Sequence, residues 1–307
     1  MKLYRSILEL IGKTPIVKLN KLPDPTGGEV YIKLESFNPG GSVKDRASIN
    51  MIERAEKEGK LIPGKSTVIE PTSGNTGIGI AMVCAVKGYR CIITMPDNAT
   101  LERVKILKAY GAEVHLTPAS LRMQGAIDEA NRLAESISDV FIPMQFENTA
   151  NADAHRETTA VEILEAFEGS LDALVLTAGT GGTVTGVGEE LKKHIPNLKI
   201  YVVEPFGSPV LSGGEPGPHK IPGTGPGFIP KILNRTIYDE ILLIKDEDAQ
   251  VTARRLAAEE GIFVGASGAS SAYFAVEIAK NLPSSARVLC LAPDTGERYL
   301  SSDLFLA

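Results

Sequence analysis

A chain of 307 residues with 43% hydrophobic residues, 23% charged residues and a formal net charge of −6 has the composition of a soluble globular protein. It is long enough for two compact lobes or one large α/β unit. Its acidic excess would repel a phosphate backbone, and 6% aromatic residues with no tryptophan leave little for stacking on bases, so bulk nucleic-acid binding is not expected.

The N-terminal stretch MKLYRSILELIGKTP is too short in its apolar part and too mixed in charge for a signal peptide. No apolar run approaches the ~20 residues of a membrane helix. With Cys84, Cys91 and Cys290 scattered and read as buried free thiols, a reducing, cytoplasmic setting is expected. His115, His155, His194 and His219 form no metal-binding array, and no metal site is expected.

The packing of the first forty residues is not fixed by pattern. Lys44 lies in NPGGSVKDR, where Ser42 and Asp45 resemble a capping box and the following ASINMIERAEKEG has helical period. A lysine in the first turn of a helix sits beside unsatisfied N–H groups, which favours a neutral, nucleophilic amine. By itself the window better describes a surface lysine on a capped helix.

A strand is expected over 67–70. The turn PTSGNTG at 71–77 follows it and leads into a helix over 77–87. Small hydroxyl residues and backbone donors there suit a carboxylate or other anion, or a plain strand-to-helix turn. Then come a strand over 89–95, a helix over 101–110, a strand over 114–116, a helix over 125–136 and a strand over 140–142. Such βα units with short connections imply a parallel sheet covered by helices.

A second series starts with a helix over 152–167 and a strand over 171–176. The loop GTGGT at Gly179–Thr183 then enters a helix over 186–193. Its glycines and hydroxyls suit a phosphate. It lacks the lysine of a P-loop and the acidic residue of a dinucleotide fold, so ATP and NAD are less attractive ligands. After a strand over 199–203, residues 211–230 are rich in glycine and proline and read as a binding or lid loop. A strand over 241–245, a helix over 249–260, the loop GASGAS with Ser267 as a candidate N-cap, a helix over 272–280 and a strand over 287–292 complete the chain. No G-x-S-x-G elbow appears.

In this order NPGGSVKDR, PTSGNTG, GTGGT and GASG resemble the fold type II pyridoxal-phosphate enzymes, and most of all the cysteine synthase (O-acetylserine sulfhydrylase) family. IGKTP, MQFENTAN at 144–151, GPHKIPGTGPGFIP at 217–230 and GERYLSS at 296–302 extend the resemblance over nearly the whole chain. It implies two three-layer α/β/α lobes with mainly parallel sheets and an active-site cleft between them. Residues 1–38 and 147–307 would form the larger domain, and 39–146 a smaller mobile one.

The resemblance implies pyridoxal 5'-phosphate as cofactor, with Lys44 as its Schiff-base lysine and as the base for the substrate Cα proton. Thr72, Ser73, Asn75 and Thr76 match the substrate-carboxylate loop, with Asn75 also near the cofactor's phenolic oxygen. Gln145 matches a further carboxylate contact. Gly179, Thr180, Gly181, Gly182 and Thr183 match the phosphate cradle, and Ser267 the partner of the ring nitrogen. A neutral serine there suits loss of a β leaving group.

The implied reaction replaces the acetate of O-acetyl-L-serine with sulfide to give L-cysteine. A small cystathionine β-synthase or an O-phosphoserine sulfhydrylase would share these motifs. A homodimer, and capture of the C-terminal peptide of serine acetyltransferase, are implied as partners. The chain departs from the family's usual pattern at Lys13, at Thr149 and Ala152, and at Gly268 after Ser267. None of these carries an inferred role, but the surrounding loops bear on substrate choice.

Overall fold

A computed structural model describes residues 3–306. In chain order the strands are β1 (Ile16–Lys18), β2 (Glu29–Leu34), β3 (Thr67–Pro71), β4 (Arg90–Pro96), β5 (Glu113–Thr117), β6 (Val140–Phe141), β7 (Ala173–Thr177), β8 (Lys199–Pro205), β9 (Glu240–Ile244) and β10 (Arg287–Ala292). The α-helices are α1 (Lys44–Lys57), α2 (Asn75–Lys87), α3 (Leu101–Ala109), α4 (Arg122–Ser136), α5 (Thr149–Ala154), α6 (Ala160–Phe167), α7 (Gly182–His194), α8 (Asp246–Glu260) and α9 (Ala266–Ala279). A π-helical turn, His155–Thr159, joins α5 to α6.

Two units divide these elements. One takes Lys44–Asn151 with the segment that ends at Ile11; the other takes Gly12–Val43 and Ala152–Ala307. The first unit holds a parallel sheet of order β5-β4-β3-β6. Its central strands β3 and β4 are nearly continuous buried runs because both faces are covered. Val68, Cys91 and Ile93 pack with α1, α2 and α3 on one face, and Ile69 and Ile92 with α4 on the other.

The second unit holds a six-stranded sheet of order β1-β2-β10-β7-β8-β9, antiparallel only between β1 and β2. Val30, Ile32, Val175 and Cys290 meet α8 and α9 on one face. Leu174, Leu176, Ile200 and Leu291 meet α6 and α7 on the other. Residues 29–34 thus enter the sheet beside the last strand of the chain. The expected α/β class, with parallel sheets in two three-layer lobes, is what the structure has. Cys84, Cys91 and Cys290 are free and buried, as expected.

Three local expectations are corrected. GASGAS, read as a loop, forms the start of α9, whose N-cap is Gly265 and not Ser267. Glycine and serine disfavour helix locally, but tertiary packing wins. A Cβ on Gly268 would lie 2.9 Å from that of Ala292, so the bare backbone lets α9 close onto β10. Ser271 Oγ donates to Leu291 O at 2.8 Å across the same contact. Helix α7 likewise begins at Gly182, four residues ahead of the expected start, and the helix expected from 152 begins at Thr149. Residues 211–230 contain no helix or strand, as expected, but the loop is pinned: Gly225 N donates to Ala178 O at 3.1 Å.

Candidate active site

Within the first unit, β3 delivers the chain through Pro71 and Thr72 to the start of α2. Gly74 N donates to Thr72 Oγ1 at 3.2 Å, closing a tight turn ahead of Asn75, the first residue of α2. Residues 72–76 therefore surround a helix N-terminus, where backbone amides and the helix dipole favour an anion. Thr76 Oγ1 donates to Gln145 Oε1 at 2.5 Å, bringing in a residue 69 positions further along the chain.

Lys44 opens α1 and is half-buried. A Cβ on Gly79 would lie 3.2 Å from Lys44 O and 2.6 Å from Ser48 Oγ, so α1 and α2 cross closely near their starts. Ser48 Oγ also approaches Thr76 O at 3.5 Å. The structure thus groups Lys44, Thr72, Ser73, Asn75, Thr76 and Gln145 in one neighbourhood. Ser42, the expected cap of α1, belongs to the second unit and bridges to Asp294.

Within the second unit, β7 runs into Gly179–Thr183 at the start of α7. Gly181 is the N-cap, with φ +85°, a left-handed conformation that glycine adopts without strain. Gly179 has a separate cause: a Cβ there would collide with Gly223 O. Thr180 is buried, and Gly182 N approaches its Oγ1 at 3.4 Å. Ser267 is buried in the first turn of α9, with a neutral hydroxyl. The predicted residues therefore divide between units, with Lys44, 72–76 and Gln145 in one and 179–183 and Ser267 in the other.

Three buried polar side chains escaped the sequence reading. His155 is buried in the π-helical turn, with Nδ1 2.8 Å from Thr159 Oγ1 and Nε2 3.2 Å from Thr183 Oγ1. It buttresses one hydroxyl of the glycine loop. Its only signal was a threonine four residues on. Glu70 and Glu204 are buried carboxylates at the ends of β3 and β8. Their signal was the pair VIEP and VVEP, an acid closing an apolar run.

A sequence model of the family described as "Pyridoxal-phosphate dependent enzyme" matches residues 7–294. The chain belongs to this family. Its fold is that of a fold type II member. A "Probable cysteine synthase" of Bacillus subtilis (strain 168) is 58% identical over 308 residues, covering 99% of each chain. Among solved structures, an O-ureido-L-serine synthase superposes with TM-score 0.96 at 45% identity, covering 99% of this chain and 96% of that one. An O-acetylserine dependent cystathionine β-synthase from Helicobacter pylori has TM-score 0.93 at 39% identity, covering 100% of both. Together these support cysteine-synthase-like, pyridoxal-phosphate-dependent β-replacement chemistry.

Proposed function

We propose that this enzyme is a cysteine synthase that exchanges the acetate of O-acetyl-L-serine for sulfide, releasing L-cysteine and acetate. The observation that carries this reading is the 2.5 Å bond from Thr76 to Gln145. It joins both parts of the expected carboxylate site at the start of α2, beside the helix that Lys44 opens.

The chain's groups fit pyridoxal 5'-phosphate. At the start of α7, where Gly181 is the left-handed N-cap, the backbone amides of the first turn would receive the phosphate, with hydroxyls from Thr180 and Thr183. Lys44 would hold the cofactor covalently, Ser267 would meet its ring nitrogen and Asn75 its phenolic oxygen. When bound, the cofactor supplies an electron sink that acidifies the substrate Cα–H and labilises its β substituent.

The protein's own groups do the rest. The start of α2, the hydroxyls of Thr72 and Ser73, and the Gln145 amide bind the amino-acid carboxylate and set the orientation of Cα. The Lys44 amine takes the Cα proton and returns it after sulfide has entered. Ser267, being neutral, does not lock a positive charge on the ring as a carboxylate would.

The test is a matrix of O-acetylserine and O-phosphoserine against sulfide and homocysteine. O-acetylserine with sulfide is expected to give the fastest turnover. Turnover with homocysteine alone would instead favour a cystathionine β-synthase, as in the Helicobacter pylori relative, and exclusive use of O-phosphoserine would favour that donor's sulfhydrylase. Lys44→Ala is expected to lower turnover by at least about 10³-fold and to abolish the visible absorption of the lysine-bound cofactor. Retained rapid turnover would overturn the role of Lys44.

A further inference from the structure

Glu70 is 1% exposed at the end of a strand whose preceding residues, Val68 and Ile69, lie in apolar clusters. Burying a carboxylate in such a place costs several kcal/mol unless hydrogen bonds offset it. Burial pushes the carboxyl up to about 7, against the hydrogen bonds from Met144 and Gln145. A hydrocarbon side chain would fill the position without that cost, so the carboxylate needs a reason.

The reason lies in residues 144 and 145. Met144 N donates to Glu70 Oε2 at 3.1 Å, and Gln145 N approaches Oε1 at 3.5 Å. Met144 sits at φ +56°, a left-handed conformation that costs a side-chain-bearing residue about 1–2 kcal/mol. Glu147 N and Asn148 N both donate to Met144 O, at 2.9 and 3.0 Å, and Asn151 Nδ2 donates to Gln145 O at 2.8 Å. The turn is thus fixed from several sides, with Glu70 at its base.

Glu70 also governs the amide at the end of Gln145. The Gln145 side chain hydrogen-bonds the Glu70 carboxyl, while its Oε1 accepts from Thr76. Above about pH 7, where the Glu70 carboxyl is ionised and only accepts, it faces Nε2, which leaves Oε1 for the Thr76 hydroxyl. One Nε2 hydrogen then remains for a ligand, and a donor suits an anion.

We infer that Glu70 is a positioning residue, whose carboxylate holds the Met144–Gln145 turn and the Gln145 amide so that Gln145 offers an N–H to the carboxylate of the substrate. The identity of that ligand rests on the β-replacement reading above; the hold on the turn does not.

The test compares Glu70→Ala and Glu70→Gln with the wild-type holoenzyme. In Glu70→Ala, the KM for O-acetylserine should rise at least about 10-fold while kcat changes by less than about 3-fold and the KM for sulfide stays put. The amides of Met144 and Gln145 should exchange hydrogen at least about 10-fold faster, with those of α2 unchanged. Glu70→Gln keeps one acceptor oxygen and should lie between.

Unchanged exchange at Met144 and Gln145, or a fall in kcat at constant KM, would overturn the inference. If Glu70→Ala does not fold, Glu70→Gln decides by the same two readouts. If the wild-type enzyme does not turn over O-acetylserine with sulfide, the functional reading falls. The Kd for L-serine, read from the visible absorption of the holoenzyme, then replaces KM, and a Kd unchanged in the variants overturns this inference separately.

Discussion

The two units end one strand each in the same way, β3 with TVIEP and β8 with YVVEP. In both, a buried glutamate precedes a proline, which cannot donate to a sheet, and one further bond to the neighbouring strand, from Thr72 N or Phe206 N, follows it. Glu204 accepts from Leu211 N at 2.9 Å, Ser212 N at 2.8 Å and Ser212 Oγ at 2.5 Å. Its partners lie seven and eight residues ahead. Glu70 accepts from Met144 and Gln145, 74 and 75 residues ahead. One carboxylate therefore folds back the loop that follows it, a local closure of small entropy. The other reaches across the sequence to a turn that carries Gln145, a candidate site residue. The same Glu-Pro pair serves stability in one unit and placement in the other.

The largest effect expected from this contrast is a pH dependence of stability that belongs to Glu70. Its carboxyl is raised by burial from an ordinary 4.5 to about 7, so the folded state holds a proton more tightly than the unfolded state. The resulting stabilisation is complete below about pH 4.5 and is lost as pH rises through about 7. A shift of that size corresponds to about 3 kcal/mol. Glu70→Gln has no such titration. Urea unfolding of both proteins at pH 5 and pH 8 should therefore show wild type losing stability relative to the variant across the interval. A pH-independent difference would mean that Glu70 titrates normally and that its hydrogen bonds outweigh its burial.

Glu204→Ala should be next in size, and of a different kind. It leaves the Leu211 N–H without its acceptor, whereas Ser212 is exposed and can turn to water. The expected loss is about 2 kcal/mol, read as a lower denaturant midpoint at constant m. The KM for the amino-acid donor should not move. A kinetic effect as large as that of Glu70→Ala would erase the distinction between the two strand ends.

Pattern alone carried much of this architecture. Strand β10 was legible to the residue, because a buried parallel strand is a run of apolar side chains such as RVLCLA bounded by polar turns. Helix α9 was legible only in its second half, because what makes GASGAS helical is the approach of Ala292, which is remote in sequence. The hydroxyls and glycines of 72–76 and 179–183 were legible as candidate anion sites, since that chemistry is local to a helix start. Gln145 was visible only through resemblance. Its grouping with Thr76 depends on a bond across 69 residues, for which periodicity has no counterpart. Glu70 and His155 left only a faint signal for the same reason: each also acts through a partner that the fold supplies.

The smallest expected effect separates the two ends of the Gln145 anchor. Thr76→Val keeps the shape of a side chain that is 2% exposed but removes the hydroxyl that donates to Gln145 Oε1. Losing one such bond costs about 1 kcal/mol. The backbone turn, held by Glu70 at Met144 N, should survive. Hydrogen exchange at the Met144 amide is therefore expected to match wild type in Thr76→Val and to accelerate in Glu70→Ala, while both variants raise the donor KM, Thr76→Val by only a few-fold. If the Met144 amide opens in Thr76→Val as well, the side-chain and backbone anchors act as one cooperative unit. Glu70 then has no separate hold on the turn.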